Sequence, residues 1–386
     1  MRRMREFGTT VFATMTKLAV ETGSINLGQG FPDTDGPERM LQHAIEAVRG
    51  GLNQYPPGPG LPELRQAVAE HRKQWYGLAY DPDGEVLVTV GATEAISAAI
   101  LALCEPGDEV VLFEPYYDSY AAAVALAGAV RRSVTLRVDA GRFTFDPAEL
   151  EAAITPRTRV ILVNSPHNPT GTVFTREELE CVARVCQEHD LIAVTDEVYE
   201  HLAFDGVEHI PLATLPGMRE RTVMISSAGK TFSVTGWKTG WVCAPAPLTA
   251  AVQTVKQFLT FTANAPWQVA VAYALREEME WVAAQRAALQ AKRDRLMTGL
   301  TEAGFDVLRP AGTYFVQTDI RPLGFEDGLD LARRLPELAG VVAIPTQVFY
   351  DHPERGRHYL RFAFCKRDEV IDEAVTRLRR LGADVA

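Results

Sequence analysis

Short apolar runs alternate with longer amphipathic segments through the first two thirds of the chain. The apolar runs have the length of buried strands and lie at Val86–Val90, Glu109–Phe113, Val160–Val163, Leu191–Thr195, Thr222–Ile225 and Gly240–Cys243. The segments between them predict helices at Glu94–Leu103, Tyr117–Ala127, Ala148–Ile154 and Glu177–His189. Apolar strands that alternate with helices are typical of a mostly parallel sheet covered on both faces. The pattern therefore predicts an α/β fold whose large domain is a three-layer, mostly parallel sheet.

The pattern changes after Pro266, where Gln268–Glu302 predicts one long helix. Short strands then alternate with helices, and the predicted elements are strands at Phe305–Leu308, Thr313–Asp319, Val341–Ile344 and His358–Phe364 and helices at Leu329–Leu335 and Glu369–Leu381. These elements predict a second, smaller α/β domain. At the other end, Thr10–Thr22 predicts a helix with Thr9 or Thr10 as its N-cap. We expect an N-terminal arm that joins part of the small domain (1–45), a large domain (46–279) and a small C-terminal domain (280–386).

The composition is that of an ordinary globular protein, with 386 residues, 47% hydrophobic and 23% charged. The formal net charge of −11 argues against a nucleic acid or an anionic membrane as the main partner. The basic N-terminus lacks the long apolar core of a signal peptide, and we expect no membrane span. Because the five cysteines lack metal-ligand spacing, we expect no metal site, reduced thiols and a cytoplasmic location.

Polar loops follow the predicted strands. In parallel sheets, ligands bind outside the carboxyl ends of the strands. The loops at that edge are Gly91–Thr93, Glu114–Tyr117, Asn164–Gly171, Asp196–Tyr199 and Ser226–Lys230. We therefore expect their side chains to form one site.

The stretch Ser226–Trp241 carries the clearest chemical signal. Lys230 follows a predicted buried strand, where an amine is costly unless it is neutralised, paired or covalently used. Lys238 adds a second cation, which would lower the pKa of Lys230 as a carbonyl-binding lysine requires. A phosphate-binding P-loop is excluded because Met224 stands where that motif needs glycine. On this stretch alone, an ordinary surface lysine remains the alternative.

Other candidates also have structural alternatives. Gly91-Ala92-Thr93 opens a predicted helix, whose free amides and dipole can bind an anion. Asp196 ends an apolar strand at the same edge of the sheet, so it is a candidate site residue, and its structural alternative is a helix N-cap. Asn168 lies between two prolines and could form an Asx-turn. Arg361, near the end of a predicted strand, could form a surface salt bridge.

Four motifs occur in a fixed order: Gly91-Ala-Thr-Glu-Ala, Asn168-Pro-Thr-Gly, Thr195-Asp-Glu-Val-Tyr and Ser226-x-x-x-Lys-x-Phe. With them the chain resembles the class I aminotransferases, the fold-type I enzymes that use pyridoxal 5′-phosphate. The resemblance runs from Asn26-Leu-Gly-Gln-Gly-Phe-Pro to Arg361-Phe-Ala-Phe-Cys, which is nearly the full chain. Asn53-Gln-Tyr-Pro-Pro-Gly-Pro-Gly and Ser165-Pro-His-Asn-Pro-Thr-Gly are most similar to the kynurenine/glutamine/methionine aminotransferase group. Within that group, the chain resembles actinobacterial N-succinyldiaminopimelate aminotransferase-type sequences.

The resemblance implies cofactor-binding roles in the large domain. Lys230 is expected to bond covalently to the cofactor aldehyde and afterwards to move a proton. Asp196 is expected to accept a hydrogen bond from the pyridine nitrogen. Asn168 and Tyr199 are expected to bind the ring oxygen, and Tyr117 to stack on the ring, with Tyr116 as the alternative. The residues expected to hold the phosphate are Gly91, Ala92, Thr93, Ser227 and Lys238, with Tyr55 from a neighbouring subunit.

The resemblance also implies the reaction. An amino group would move from an L-amino acid, or an N-succinyl-diaminopimelate-like donor, to a 2-oxo acid by a ping-pong mechanism. The residues expected to bind the substrate α-carboxylate are Gly30, Asn168 and Arg361, with Tyr314 in the core beneath them. A carbon–sulfur β-lyase on the same fold is the alternative.

Two further expectations concern the substrate and the assembly. An N-succinyl donor needs an additional cation, for which Arg39, Lys17 and Lys256 are candidates. Because the loop that carries Tyr55 is expected to reach a neighbour's phosphate, we expect a homodimer with shared active sites.

Overall fold

The computed structural model of the chain describes residues 3–8 and 10–385. Its strands are β1 (Ile25–Asn26), β2 (Val86–Thr89), β3 (Glu109–Glu114), β4 (Val130–Thr135), β5 (Arg137–Asp139), β6 (Arg142–Thr144), β7 (Thr158–Asn164), β8 (Ile192–Asp196), β9 (Thr222–Ser227), β10 (Gly240–Cys243), β11 (Asp306–Leu308), β12 (Phe315–Asp319), β13 (Val341–Val342), β14 (Ile344–Pro345) and β15 (Tyr359–Ala363). Its helices are α1 (Val11–Thr22), α2 (Glu38–Arg49), α3 (Pro62–Tyr76), α4 (Gly91–Leu103), α5 (Asp118–Ala127), α6 (Pro147–Ala153), α7 (Arg176–Glu188), α8 (Ala228–Thr231), α9 (Ala246–Leu259), α10 (Ala265–Glu277), α11 (Met279–Glu302), α12 (Gly328–Ala339) and α13 (Asp368–Val385).

A seven-stranded sheet forms the centre of the larger part, in the order β2-β10-β9-β8-β7-β3-β4. The pairings from β9 to β4 are parallel, while β10 runs antiparallel to both of its neighbours. Alternate residues of β3 face opposite sides, because Leu112 packs in one core cluster with α4 and α5 and Val111 packs in another with α7. Helices therefore cover both faces, and the predicted three-layer, mostly parallel sheet is confirmed.

The smaller part is built around an antiparallel sheet with the order β11-β12-β15-β14. Its core cluster unites Leu296 of α11, Leu331 of α12 and Ile371 of α13 with Phe362 of β15. The N-terminal strand β1 pairs in parallel with β13 in this part of the chain. The start of the chain is thereby joined to its C-terminal third, and the expected smaller α/β domain is present.

Two local predictions differ from the structure, and the predicted N-terminal helix agrees with it. The strand expected over Val341–Ile344 is two short strands, β13 and β14, which pair in different sheets. The single helix expected over Gln268–Glu302 is two helices, α10 and α11, separated at Glu278, which has φ −114° and ψ 18°. The predicted N-terminal helix is α1, whose N-cap is Thr10, while the alternative cap Thr9 lies outside the described residues. The Thr10 side chain accepts a hydrogen bond from the Ala13 amide, as a capping residue does.

Two features bear on the environment of the chain. Among the described helices, none combines the length and the apolarity needed to cross a lipid bilayer. All five cysteines are free thiols, and four of them are buried.

Candidate active site

The N-terminus of α4 forms one end of a cavity of about 230 Å³. Among the described residues, no side chain caps this helix, so its first amides remain available as donors. Gly91 has φ +75°, and an added Cβ would lie 3.2 Å from Cε of Lys238. The Lys238 side chain therefore lies against the helix start, and both supply positive potential to the same place. The predicted anion-binding residues Gly91, Ala92, Thr93, Ser227 and Lys238 all line this cavity.

Lys230 lies on the wall of the same cavity and, as expected, follows a buried strand. Strand β9 ends at Ser227, and Lys230 belongs to the single turn α8 that follows. Its Nζ donates to the Tyr314 hydroxyl at 2.8 Å and lies 3.4 Å from the Gly30 carbonyl oxygen. Burial is the main cause that lowers the pKa of Lys230 to about 8, and Lys238 lowers it further, while Asp196 opposes the shift. The expected effect of Lys238 is present but is secondary to burial.

Asp196 ends β8 and is 5% exposed. One carboxylate oxygen accepts from the Tyr120 hydroxyl at 2.6 Å, and the other accepts from the Val198 amide at 3.2 Å. Burial raises the pKa of Asp196, while these hydrogen bonds and Lys230 act in the opposite direction. The bond to Val198 lies within a turn, since residues 198–201 form a turn and no helix begins directly after Asp196 in the described chain. The helix N-cap considered for Asp196 is therefore wrong.

Two asparagines fix the loop beside Asp196. The Asn164 side chain donates to the Asp196 backbone carbonyl at 2.8 Å and accepts from the Asn168 amide at 2.7 Å. The Asn168 side-chain oxygen accepts from Arg361 at 2.9 Å. The Asn168 side chain is therefore bound to the guanidinium and does not serve the Asx-turn alternative.

The predicted aromatic residues have different positions. Tyr199 is 2% exposed, lines the cavity and packs its ring edge-on against Tyr314 at 5.2 Å between centroids. Tyr117 also lines the cavity. The alternative Tyr116 instead donates its hydroxyl to Asp351 at 2.7 Å, away from the cavity lining.

Arg361 lies in the middle of β15 and not near its end, and it is 1% exposed. Its guanidinium donates to Asn168 and, at 3.0 Å, to the Gly28 carbonyl, while Nε has no hydrogen-bond partner within the described chain. Its carbon lies 3.9 Å from the ring centroid of Phe315. Burial lowers the pKa of Arg361 to about 10. The surface salt bridge considered for this residue is wrong, and a buried cation with spare donors is suited to a carboxylate ligand.

Tyr55 is the predicted site residue that this chain does not bring to the cavity. Its side chain is 81% exposed and packs edge-on against Phe261, with 5.3 Å between the ring centroids. The prediction placed it at a neighbouring subunit's site, and its position leaves it accessible for that contact.

The structure adds contacts that the sequence did not predict, although Asn164 lay in a predicted site loop and Tyr314 in the predicted core beneath the site. Tyr120 and Asn164 hold Asp196, Tyr314 contacts Lys230, and Phe12 and Phe315 line the cavity near Arg361. Tyr120 could have been found, since it lies three residues after Tyr117 at the start of α5 and shares its helix face. By contrast, the contacts of Tyr314, Phe12 and Phe315 had no local signal.

The arrangement fits pyridoxal phosphate. An uncapped helix N-terminus with Lys238 suits the phosphate, and buried Asp196 suits the ring nitrogen. Between them, Lys230 has the lowered pKa that makes an amine available for bonding to an aldehyde. Arg361 lines the same cavity, where its guanidinium can bind a substrate carboxylate.

Comparison with known proteins identifies the family. The sequence profile of the family "Aminotransferase class I and II" matches residues 22–378. A probable N-succinyldiaminopimelate aminotransferase of Mycobacterium tuberculosis is 54% identical over 98% of both chains. The methionine aminotransferase of Escherichia coli is 39% identical over 98% of this chain and 97% of its own length. The solved structure of N-succinyldiaminopimelate aminotransferase from Mycobacterium tuberculosis superposes with a TM-score of 0.96, covering 98% of this chain and 99% of the other. The chain therefore belongs to the class I and II aminotransferases, and it is a pyridoxal-phosphate-dependent aminotransferase of fold type I.

Proposed function

We propose that this aminotransferase takes the α-amino group of an N-succinyl-diaminopimelate-like L-amino acid and gives it to a 2-oxo acid in two alternating half-reactions. The observation that carries the proposal is the buried Arg361, which has no acidic partner within the described chain and shares one cavity with Lys230. With one carboxylate site beside one amine, donor and acceptor must bind in turn, as a ping-pong mechanism requires. The 54% identity to the mycobacterial relative favours its class of donor.

The roles proposed for the residues follow from their positions. Pyridoxal phosphate, when bound, supplies an aldehyde that bonds to amines and a ring that accepts electron density. Lys230 would hold the cofactor covalently through its aldehyde and, as a free amine, would accept and return a proton in the cavity. Asp196 would accept a hydrogen bond from the ring nitrogen, and Asn168 and Tyr199 would bind the ring oxygen. The residues that would hold the phosphate are Gly91, Ala92, Thr93, Ser227 and Lys238, and Tyr117 would cover the ring.

A methionine-like or aromatic donor is the second candidate. Phe12, Phe31 and Phe315 line the cavity, and their surface suits an apolar side chain. The three cations considered for a distal carboxylate do not line it: Lys17 pairs with Glu21 on the surface, Arg39 lies over Tyr273, and Lys256 donates to the Phe261 carbonyl. An N-succinyl donor therefore requires a donor group for its distal carboxylate from elsewhere, which we assign to the partner subunit.

We propose that the protein is a cytoplasmic homodimer. An exposed apolar surface is formed by Tyr55, Phe258, Leu259 and Phe261, of which Phe258 is 83% exposed. Contiguous apolar surface of this kind is typical of a protein interface. In the dimer, Tyr55 of each subunit reaches the other subunit's phosphate site. If light scattering gives the mass of a monomer, both the homodimer and the placement of Tyr55 at the other subunit's phosphate site are contradicted.

We propose a division into the segments 1–45, 46–279 and 280–386, with one change. Residue 45 falls within α2, whose buried Met40 and Ala44 pack with Val86 and Trp241 of the large domain. We therefore place the first boundary before α2, at Pro37. The second boundary coincides with the start of α11.

A donor panel tests the proposed substrate. N-succinyl-diaminopimelate, methionine and kynurenine are compared by kcat/KM with 2-oxoglutarate as acceptor, and the first is expected to exceed the others by about 10-fold or more. A higher value for methionine or kynurenine would replace the donor and leave the aminotransferase unchanged. Release of ammonia from a β-substituted donor without any acceptor would instead indicate a lyase.

The variant Arg361→Lys is the matched control for this panel. Because every donor presents the same α-carboxylate, the loss of the bidentate guanidinium should raise KM by a similar factor for all donors. A loss confined to one donor would show that Arg361 reads the side chain.

A further inference from the structure

Tyr314 is buried directly behind the cavity, with 1% of its surface exposed. It follows Thr313, whose φ of +67° lies in the left-handed region that residues with a side chain seldom adopt. The Thr313 amide donates to the Leu202 carbonyl at 2.8 Å, and its hydroxyl accepts from the Phe315 amide at 3.1 Å. These bonds fix the turn before β12 and direct the Tyr314 side chain toward the cavity.

Three polar atoms meet at the Tyr314 hydroxyl. The hydroxyl oxygen is 2.6 Å from the Gly30 carbonyl oxygen and 2.8 Å from Nζ of Lys230. A carbonyl oxygen can only accept, so the single hydroxyl proton is donated to Gly30. The lone pairs of the hydroxyl then face the amine, and Lys230 must be the donor in that bond.

The Tyr314 side chain has little freedom to move. Its ring packs against Tyr199 at 5.2 Å and against Phe315 at 4.9 Å between centroids. Lys230, by contrast, has a long flexible side chain that loses much rotational freedom when its amine is held in one place. A rigid acceptor beside a flexible amine fixes where that amine lies whenever it is not covalently engaged.

We propose that Tyr314 is a positioning residue for Lys230. Its hydroxyl, oriented by donation to the Gly30 carbonyl, accepts a hydrogen bond from the free amine and holds the amine in the cavity for proton transfer. The same hydroxyl ties the amine to the loop that contains Gly30, on the side of the cavity where Arg361 lies. The inference rests on the proposed role of Lys230 as the group that moves the proton.

The test compares the holoenzyme of Tyr314→Phe with the wild type in a single half-reaction. The variant keeps the ring and loses the acceptor, so the rate at saturating donor should fall by about 10- to 100-fold while KM changes little. With an α-deuterated donor, the isotope effect should rise, because proton transfer becomes a larger part of the barrier. The control Tyr80→Phe removes a buried hydroxyl that has no hydrogen-bond partner in the described chain, and it should leave both quantities unchanged.

A second readout does not depend on turnover. In cofactor-free protein, the pKa of the Lys230 amine is measured by competitive acetylation with acetic anhydride, using exposed Lys17 as the internal standard. An acceptor favours the charged amine, so its loss in Tyr314→Phe should lower this pKa by about half a unit to one unit.

The outcomes separate the two proposals. A Tyr314→Phe protein with the wild-type rate and amine pKa overturns the positioning role, as does a slower variant whose isotope effect and amine pKa are unchanged. If Tyr314→Phe does not fold, 3-fluorotyrosine at position 314 should slow the half-reaction by a smaller factor, and an unchanged rate contradicts the role. Turnover by Lys230→Ala would overturn the role of Lys230 itself, whatever Tyr314 does.

Discussion

Two largely buried groups of ionisable residues both include members of the segment 196–201, and they differ in how their charges are paired. One is the cavity with Lys230, Asp196 and Arg361. The other, the Arg72 cluster, consists of His71, Arg72, Glu200 and His201. Within the described chain, none of the three cavity residues forms a salt bridge, whereas Arg72 pairs directly with Glu200. Within the described chain, the charges of the cavity are therefore left without ionic partners, while Arg72 and Glu200 neutralise each other.

The pKa shifts also differ between the cavity and the Arg72 cluster. In the cavity, burial lowers the pKa of Lys230 and raises that of Asp196. In the Arg72 cluster, burial opposes the charged form of Glu200, but Arg72 and the two histidines outweigh it and lower the pKa of Glu200. Arg72 donates to Nδ1 of His71, so His71 carries its proton on Nε2 and donates to His201 at 2.9 Å. The hydrogen bonds of that cluster are thus made within the protein, whereas the cavity residues of the described chain keep their charges available to a ligand.

The largest expected effect is on activity, through Lys230→Ala. Turnover should fall by at least about a thousand-fold, because the covalent amine and the proton carrier are lost together. The free energy of unfolding of the cofactor-free protein should not decrease, since an amine whose charged form is disfavoured by burial, and which has no acidic partner in the described chain, is removed. Kinetics with the best donor and denaturant unfolding of the cofactor-free protein check both statements, and a large loss of stability would contradict this difference between the two groups.

The variant Arg72→Met should give the opposite pattern. Its free energy of unfolding should fall by about 3–5 kcal/mol, because Glu200 is left buried without its partner. Activity per folded molecule should stay within about three-fold of the wild type. The control Arg276→Met breaks a partly exposed pair with Glu70 and should cost less than about 1 kcal/mol. Both free energies of unfolding are measured with denaturant. Equal losses in Arg72→Met and Arg276→Met would show that the buried Arg72–Glu200 pair matters no more for stability than a partly exposed pair.

A pH dependence should distinguish the two groups. The pKa of Lys230 in the folded chain is about 8, below its usual 10.5, so between these values the unfolded chain binds the extra proton. The stability contribution of Lys230 is therefore unfavourable at neutral pH and improves as the pH rises from 8 to 10.5. Relative to Lys230→Met, the cofactor-free wild type should gain about 1–3 kcal/mol over this range. If the difference in free energy of unfolding between the wild type and Lys230→Met stays constant with pH, the pKa of the Lys230 amine is not lowered in the folded chain.

The smallest expected effect is that of Tyr120→Phe, which removes the hydrogen bond to Asp196. A hydrogen bond to a charged group contributes about 1.5–3 kcal/mol, but Asp196 keeps its contact with the Val198 amide. We therefore expect kcat to fall by about three- to ten-fold. The control Tyr76→Phe removes a comparable bond to Glu200 and should change stability without changing kcat.

The sequence located most of the cavity in advance. The loops predicted at the carboxyl edge of the sheet supply Gly91, Asn168, Asp196 and Lys230, and the structure places all four around one cavity. These positions were accessible because strand ends and loop composition are local properties of the chain. The same local reasoning missed the break at Glu278, where a continuous run of helix-forming residues carries no glycine or proline signal.

Contacts between distant segments could not be predicted from such local patterns. Tyr314 and Lys230 are 84 residues apart, and Arg361 and Asn168 are 193 residues apart. Tyr314 was expected to be a core residue, and its burial is as expected, but the contact of its hydroxyl with the amine had no sequence signal. Which polar atoms meet depends on how the small domain packs on the large one.

By itself, the sequence determined the class of fold, the edge of the sheet at which the candidate site lies and most of the residues there. These features could be predicted because apolar periodicity and the order of the motifs are properties of short stretches of the chain. The tertiary structure alone decided that, within the described chain, Arg361 is buried without an acidic partner, that Arg72 is buried with one, and that the Lys230 amine donates a hydrogen bond to Tyr314. The physical reason is that burial and pairing set the electrostatic state of a charged group, and both arise only when distant segments pack together.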